Sequence, residues 1–220
     1  MNLELKKELP IIGIVLTPFV YLAIIWDSLP QRVPIHWNYK GEIDNWGDKF
    51  SLILILFLLP VLMYVLMTFI PKIDPKKRIS LMGGKFYQLK FFLVLFMSLV
   101  ALLILYTTKE RSVNNPNLVF ALLGVLLMIF GNYFKVIQPN YFIGIRTPWT
   151  LENSEVWKAT HGFAGKIWLI GGFILMLGGL VLNNAFGNVF VSIILILALI
   201  PIAYSFIKFK QIQKRDHQSN

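Results

Sequence analysis

Residues 167–207 read IWLIGGFILMLGGLVLNNAFGNVFVSIILILALIPIAYSFI, a run of 41 residues without a single Asp, Glu, Lys or Arg. At about 1.5 Å of rise per residue, one helix of this length would far exceed the roughly 30 Å hydrocarbon core of a bilayer. Its middle, Asn183-Asn184-Ala185-Phe186-Gly187-Asn188, has the chemistry of a turn. The run therefore reads as two membrane-spanning helices joined by a very tight loop. Helix follows from the solvent: lipid offers no hydrogen bonds, so each amide must be satisfied within its own segment. Barrel strands, which alternate over about ten residues, do not fit runs this long and unpatterned.

Four more uncharged runs lie upstream, at Leu9–Trp26, Phe50–Pro71, Phe91–Thr108 and Ser112–Phe134. Each is close to the roughly 20 residues that one crossing needs. The fold class is thus an all-α polytopic membrane bundle of about six transmembrane helices. Composition agrees: 56% of the 220 residues are hydrophobic and 15% are charged, against about 25% charged in a soluble domain. The bundle divides into a first helical hairpin (1–71) carrying an outer loop (29–48), a second hairpin (72–137), and a third part (138–220) with an inner loop (140–165) and a basic tail. Pro10, Pro18, Pro60 and Pro201 fall in or at the ends of spans, where membrane helices tolerate them. Gly171, Gly172, Gly178 and Gly179 suggest a close-packing face. Lys6 and Lys7 precede the first run, but Trp26-Asp27-Ser28-Leu29-Pro30 is not a cleavage site, so this run reads as an uncleaved anchor.

With six spans, both termini share a side with the second and fourth loops. Sixteen of the 21 Lys and Arg lie there and five lie opposite. The positive-inside rule places both termini in the cytoplasm. Asp27–Lys49 then faces outward and Gln138–Gly165 inward. The expected location is a bacterial cytoplasmic membrane, crossed several times. The six tryptophans sit near span ends, where an indole ring stays apolar and its N–H wet. Lys85, Lys90, Lys135 and Lys166 near cytoplasmic helix ends are expected to snorkel to the headgroups.

Two loops carry chemistry. In the outer one, Val33, Ile35 and Trp37 alternate with Pro34 and His36 as on a strand, and Asn38 to Gly41 reads as a turn, giving a hairpin-like loop. His36, Glu42, Asp44 and Asp48 match no metal-ligand spacing, so a solvated turn is expected. In the inner one, residues up to Pro148 look extended, and Thr150 or Asn153 caps a following helix. There Trp157, His161, Ala164 and Trp168 share one face, as on an amphipathic interfacial helix along the inner surface, and Glu155 and Lys158 are spaced for an ion pair.

Other classes fare worse. The absence of Cys removes disulfides and thiolate chemistry. No H-E-x-x-H or G-x-S-x-G pattern occurs, the three histidines do not share a side, and we expect no enzyme, metal or cofactor. The net charge of +10 follows the positive-inside bias, so no direct nucleic-acid binding is expected. A small-molecule or ion transporter is the alternative; no inverted repeat is evident.

At the two loops the chain resembles the SdpI family of bacterial membrane proteins. The inner run Gly144-Ile145-Arg146-Thr147-Pro148-Trp149-Thr150-Leu151, followed by Val156-Trp157 and His161, resembles the family's most specific motif. Pro34-Ile35-His36-Trp37-Asn38 with Gly41 resembles the domain of unknown function in the family's first half. The resemblance implies an immunity protein that protects against a secreted peptide toxin. It also implies a receptor that captures a small helix-turn-helix repressor at the membrane. Pro34, His36, Trp37, Asn38, Gly41 and Trp46 are then the candidate toxin-facing residues. Asn140, Gly144, Arg146, Thr147, Pro148, Trp149, Trp157 and His161 are the candidate signalling motif. The lipid bilayer, the toxin and the repressor are the implied partners.

Overall fold

The computed structural model describes residues 3–38, 42–110, 117–182 and 186–218. Tyr39 to Gly41 of the outer turn, Arg111, the first residues of the fourth apolar run and Asn183 to Ala185 of the tight loop lie outside the described residues. Helix α1 (Leu3–Ile25) leads through a short 3-10 turn to β1 (Arg32–Trp37) and β2 (Ile43–Asp48). Then come α2 (Ser51–Leu56), a π turn (Phe57–Val61) and α3 (Leu62–Ile73), which together make one apolar rod. α4 (Gly84–Lys109), α5 (Asn117–Phe134), the five-residue α6 (Pro148–Glu152), α7 (Ser154–Val181) and α8 (Phe186–Gln218) follow. Five of these rods are long and apolar enough to cross a membrane, and α5 is a shorter apolar helix. The protein is an all-α polytopic membrane bundle. Its outward side chains, such as Ile24, Leu54, Phe173, Leu180, Leu195 and Leu199, are large, apolar and exposed. Water would penalise such a surface and lipid would not.

α1 and the α2–α3 rod pack on α4, while α5 packs on α7 and α7 on α8, with α4 and α5 in contact. The α5–α7 seam is backbone on backbone. A Cβ on Gly124 would lie 2.5 Å from Met176 N and 2.6 Å from the Gly172 carbonyl oxygen. One on Gly131 would lie 2.7 Å from Leu169 N, and one on Gly165 2.7 Å from the Gly131 oxygen. Gly124 and Gly131, and Gly165 and Gly172, are each seven residues apart, two helical turns, so they recur on one face. Such contact replaces the hydrophobic drive that lipid cannot provide between helices. Of the four glycines of α7 expected to form one face, the first two divide: Gly172 meets α5, whereas a Cβ on Gly171 would meet Leu197 of α8 at 2.6 Å.

Two prolines are accommodated in different ways. Pro60 lies inside the π turn. Pro201 has no N–H to give the carbonyl of Leu197 four residues earlier, and the Trp168 indole Nε1–H donates to that carbonyl at 2.8 Å. The Trp157 indole donates to the Ile137 carbonyl at 2.7 Å and the Trp149 indole to Ser205 Oγ at 2.8 Å. Three indoles expected to keep wet N–H groups thus donate to protein acceptors.

Lys85, Lys135 and Lys166 are exposed as expected, but Lys90 is not: it is 4% exposed. Its Nζ donates to Glu8 Oε2 at 2.7 Å and lies 4.3 Å over the Tyr64 ring. A carboxylate on α1 inside the same bundle outcompetes snorkelling, because a desolvated ammonium needs an anion more than it needs the interface.

Candidate functional site

At one end of the bundle the two strands form an antiparallel hairpin, with register irregularities around His36. Val33, fully buried, inserts among Leu22, Ile25, Leu29, Leu52, Leu56, Ala101 and Leu105, which fastens the hairpin to the helices. Lys49 closes its base: its N–H donates to the Gln31 carbonyl and its Nζ lies 4.5 Å over the Trp26 ring. Asn38 and Glu42 clasp the two strands where the turn begins. Asn38 N–H donates to the Glu42 carbonyl, Asn38 Nδ2 to Glu42 Oε2, and Glu42 N–H to Asn38 Oδ1. Pro34 is buried, Trp37 half-buried, and His36 exposed, with Nδ1 at 2.5 Å from Asp44 Oδ1. Trp46, 49% exposed, presents the largest apolar surface of the hairpin candidates. Gly41 lies outside the described residues.

At the other end, residues 138–161 form a knot. Asn140 is its organiser. Fully buried, it donates through Nδ2 to the Gln138 and Ile143 carbonyls and accepts through Oδ1 from the Phe142 and Ile143 N–H groups. All four hydrogen-bonding positions of its amide are used. The chain then turns at Gly144, where φ is +115°, and a Cβ there would lie 2.4 Å from His161 Nε2. Glycine is required twice over, by conformation and by space. The adjacent Ile145 N–H donates to His161 Nε2 at 2.9 Å, and His161 Nδ1 lies 2.9 Å from the Trp157 carbonyl. The neutral Nδ1–H tautomer satisfies both contacts. Trp157 stacks on the imidazole with centroids 4.0 Å apart.

The following residues cap α6. Thr147 Oγ1 accepts from the Thr150 N–H, Thr150 Oγ1 accepts from the Thr147 N–H, and Pro148 takes the first helical position. Of the two residues expected to cap the long helix, Asn153 does so, accepting from the Glu155 and Val156 N–H groups. Trp149 reaches α8, where Ser205 accepts its N–H and Phe206 and Phe209 flank its ring. Arg146 alone among the polar motif residues is exposed, its Nη1 donating to the Tyr141 carbonyl.

This geometry revises the expected surface helix. The shared face of Trp157, His161, Ala164 and Trp168 exists, but it belongs to α7 itself and packs inside the bundle, with Trp157 and His161 each at 1% exposure and Trp168 half-buried against Phe134. The loop before it, together with Phe134 and Ile137, covers that face in place of lipid. The expected Glu155–Lys158 pair is replaced by a two-pronged one: Arg215 of α8 donates to both Glu155 oxygens at 2.9 and 3.1 Å. Arg215 offers a guanidinium fork that matches a carboxylate, which the single ammonium of Lys158 does not. With both His161 nitrogens committed to main-chain groups, the residue has no lone pair for proton transfer. In the knot, Asn140 and His161 spend their polar atoms on main-chain groups that hold the loop in shape.

Two contributors were not singled out in the sequence. Asp74, 2% exposed, accepts from the Lys76 and Ile79 N–H groups and shapes the loop beside the knot. Lys76 crosses to the knot, with Nζ 3.4 Å from the Leu151 carbonyl oxygen and 4.9 Å from the Tyr141 ring centroid. Asp74-Pro75 is a turn signal that marks the first. No spacing rule links Lys76 to residues 65 and 75 positions away.

The comparisons with known proteins meet at these two ends. The sequence model of the SdpI/YfhL protein family matches residues 136–205, from the knot to Ser205. That of a domain of unknown function, DUF1648, matches residues 13–64, which contain the hairpin. The chain is 30% identical over 203 residues to the Immunity protein SdpI of Bacillus subtilis (strain 168), covering 91% of this chain and 93% of that protein. No solved structure matches.

Proposed function

This chain belongs to the SdpI/YfhL protein family, and on that premise we propose that it is a membrane immunity protein, giving its cell resistance to a secreted antimicrobial peptide. The observation that carries this reading is the near full-length likeness to an immunity protein, which includes both the hairpin and the knot. The proposed seat is the bacterial cytoplasmic membrane, with both termini and the knot inside and the hairpin outside. The skew of basic residues supports that orientation.

In this reading the hairpin meets the toxin. His36, the half-buried Trp37 and the exposed Trp46 offer an amphipathic surface anchored by the buried Val33, while Pro34 and Asn38 shape it, and Gly41 is a further candidate contact. Protection by binding requires no catalytic group. Capture of a small repressor is the finer part of the proposal. It would use what the knot leaves accessible, chiefly Arg146 and Pro148, while Asn140, Gly144, Thr147, Trp149, Trp157 and His161 hold these in place.

The test is a toxin challenge. Sensitive bacteria expressing the protein at verified membrane levels should survive secreted killing peptides that kill control cells. Death at the control rate with each candidate peptide would refute the reading. Flux of solutes into vesicles containing only this protein would favour a transporter instead. Tags beside His36 and Trp149 should label from opposite sides; labelling from one side would overturn the orientation.

A further inference from the structure

Two cations converge on Tyr141 at the knot end. Lys76 lies over its ring at 4.9 Å, and Arg146 donates to its carbonyl oxygen. Both are exposed, and both are held by neutral partners: an aromatic face and the main-chain oxygens of Tyr141 and Leu151. Lys72, Lys77 and Arg78 stand exposed on the same loop and helix end. Two acids are close in the chain. Asp74 is buried, with both oxygens accepting main-chain N–H groups, so it does not reach the surface cations. Glu152 is exposed next to Leu151. Among the described residues, neither Lys76 nor Arg146 makes an ion pair with any carboxylate. Their charge is left for a ligand.

The site sits where the apolar rods α3 and α5 end, the depth at which lipid headgroups begin. A phosphate suits it. Arg146 is anchored through Nη1 and keeps further guanidinium N–H donors in a fork that matches phosphate oxygens, while Lys76 is anchored as a point charge on the ring of the same Tyr141. We propose that Lys76 and Arg146, set in place by Tyr141, form a binding site for the phosphate of an anionic phospholipid headgroup in the leaflet at this end of the bundle. The site is separate from the hairpin and holds whichever leaflet this end faces. Its occupant would tie the loop after α3 to the knot before α7, bridging the two groups of packed helices.

Native mass spectrometry of the purified full-length chain in detergent, titrated with phosphatidylglycerol or with phosphatidylcholine of identical acyl chains, tests this. The wild type should bind phosphatidylglycerol preferentially. The pair Lys76→Gln with Arg146→Gln should weaken that binding about 30-fold, from about 1 kcal/mol for each direct hydrogen bond to the phosphate that is lost. The pair Lys85→Gln with Lys135→Gln, which removes exposed cations outside the site, should stay within about threefold of wild type. The charge-keeping variant Lys76→Arg should retain most binding, because it leaves the Arg146 fork in place. If the glutamine pair does not fold, Lys76→Gln alone should still show about a fivefold loss, one such hydrogen bond. Equal weakening in the Lys85/Lys135 control overturns the proposal in favour of diffuse attraction. Millimolar inorganic phosphate that displaces phosphatidylglycerol and binds with the same dependence on Lys76 and Arg146 overturns the lipid assignment and makes free phosphate the ligand. Unchanged binding in the glutamine pair overturns the site altogether and leaves Arg146 to a protein partner.

Discussion

Placing one methyl group on α7 tests the backbone seam. Gly162 and Gly165 are one turn apart on that helix: a Cβ on Gly162 meets nothing within 4 Å, whereas one on Gly165 would sit 2.7 Å from the Gly131 carbonyl oxygen. Ordinary contact begins at 3.4 Å, so Gly165→Ala must part α5 and α7 by about 0.7 Å unless strain is accepted. Backbone oxygen cannot rotate away as a side chain would, and Gly124 against Gly172 is as tight two turns along. Overpacking of this kind costs about 1–3 kcal/mol, offset by about 0.8–1 kcal/mol from replacing a helical glycine with alanine. Gly162→Ala receives only the second effect. The two variants should therefore differ by about 2 kcal/mol, or about 6 °C in Tm for a chain of this size. Thermal unfolding of both proteins in the same detergent, followed by tryptophan fluorescence, reads the difference. A Gly165→Ala protein that melts at or above Gly162→Ala would show that the helices are not in backbone contact.

Further expectations concern the knot, the proline, the buried ion pair and the hairpin. Gly144→Ala should cost about 1–3 kcal/mol in backbone strain and open the Ile145–His161 bond, seen as faster proteolysis between residues 138 and 147; unchanged cleavage would contradict it. Trp168→Phe should cost about 1 kcal/mol, yet almost nothing in a Pro201→Ala background, where a main-chain N–H at 201 serves the Leu197 carbonyl. Additive losses in that double-mutant cycle would remove the assigned partnership. Lys90→Met should destabilise by about 3 kcal/mol because it strands Glu8, while adding Glu8→Leu should recover most of it; a double variant no better than the single one argues that the pair is not coupled. Trp46→Ala should reduce toxin protection at normal membrane levels, whereas Arg146→Ala should leave protection largely intact; equal loss in both contradicts the division of roles between the ends.

Parts of the candidate site were legible from spacing alone. The alternation of Val33, Ile35 and Trp37 predicts a strand, and β1 covers them. The shared face of Trp157, His161 and Ala164 follows from helical periodicity and is real. What covers that face was not legible. A stripe of aromatic and small residues is equally at home on lipid and under a loop, and only the folded-back residues 140–147 decide for the loop. Glu155 had a lysine three residues away and took an arginine 60 residues away, since local spacing limits which partners are reachable and geometry selects among them.

From residue order alone came the helices, their number and the bilayer as solvent. A span needs only its own amides and an apolar surface, and both are properties of a local run. Tertiary structure alone decided which helices touch, that Gly124, Gly131, Gly165 and Gly172 bring two backbones together, that Lys90 turns inward to Glu8, and that Asn140, Gly144 and His161 tie one loop into a knot. Each depends on groups far apart in sequence arriving at one place, and inside lipid an unmet donor or charge has no water to fall back on, so such groups take whichever partner the packing brings.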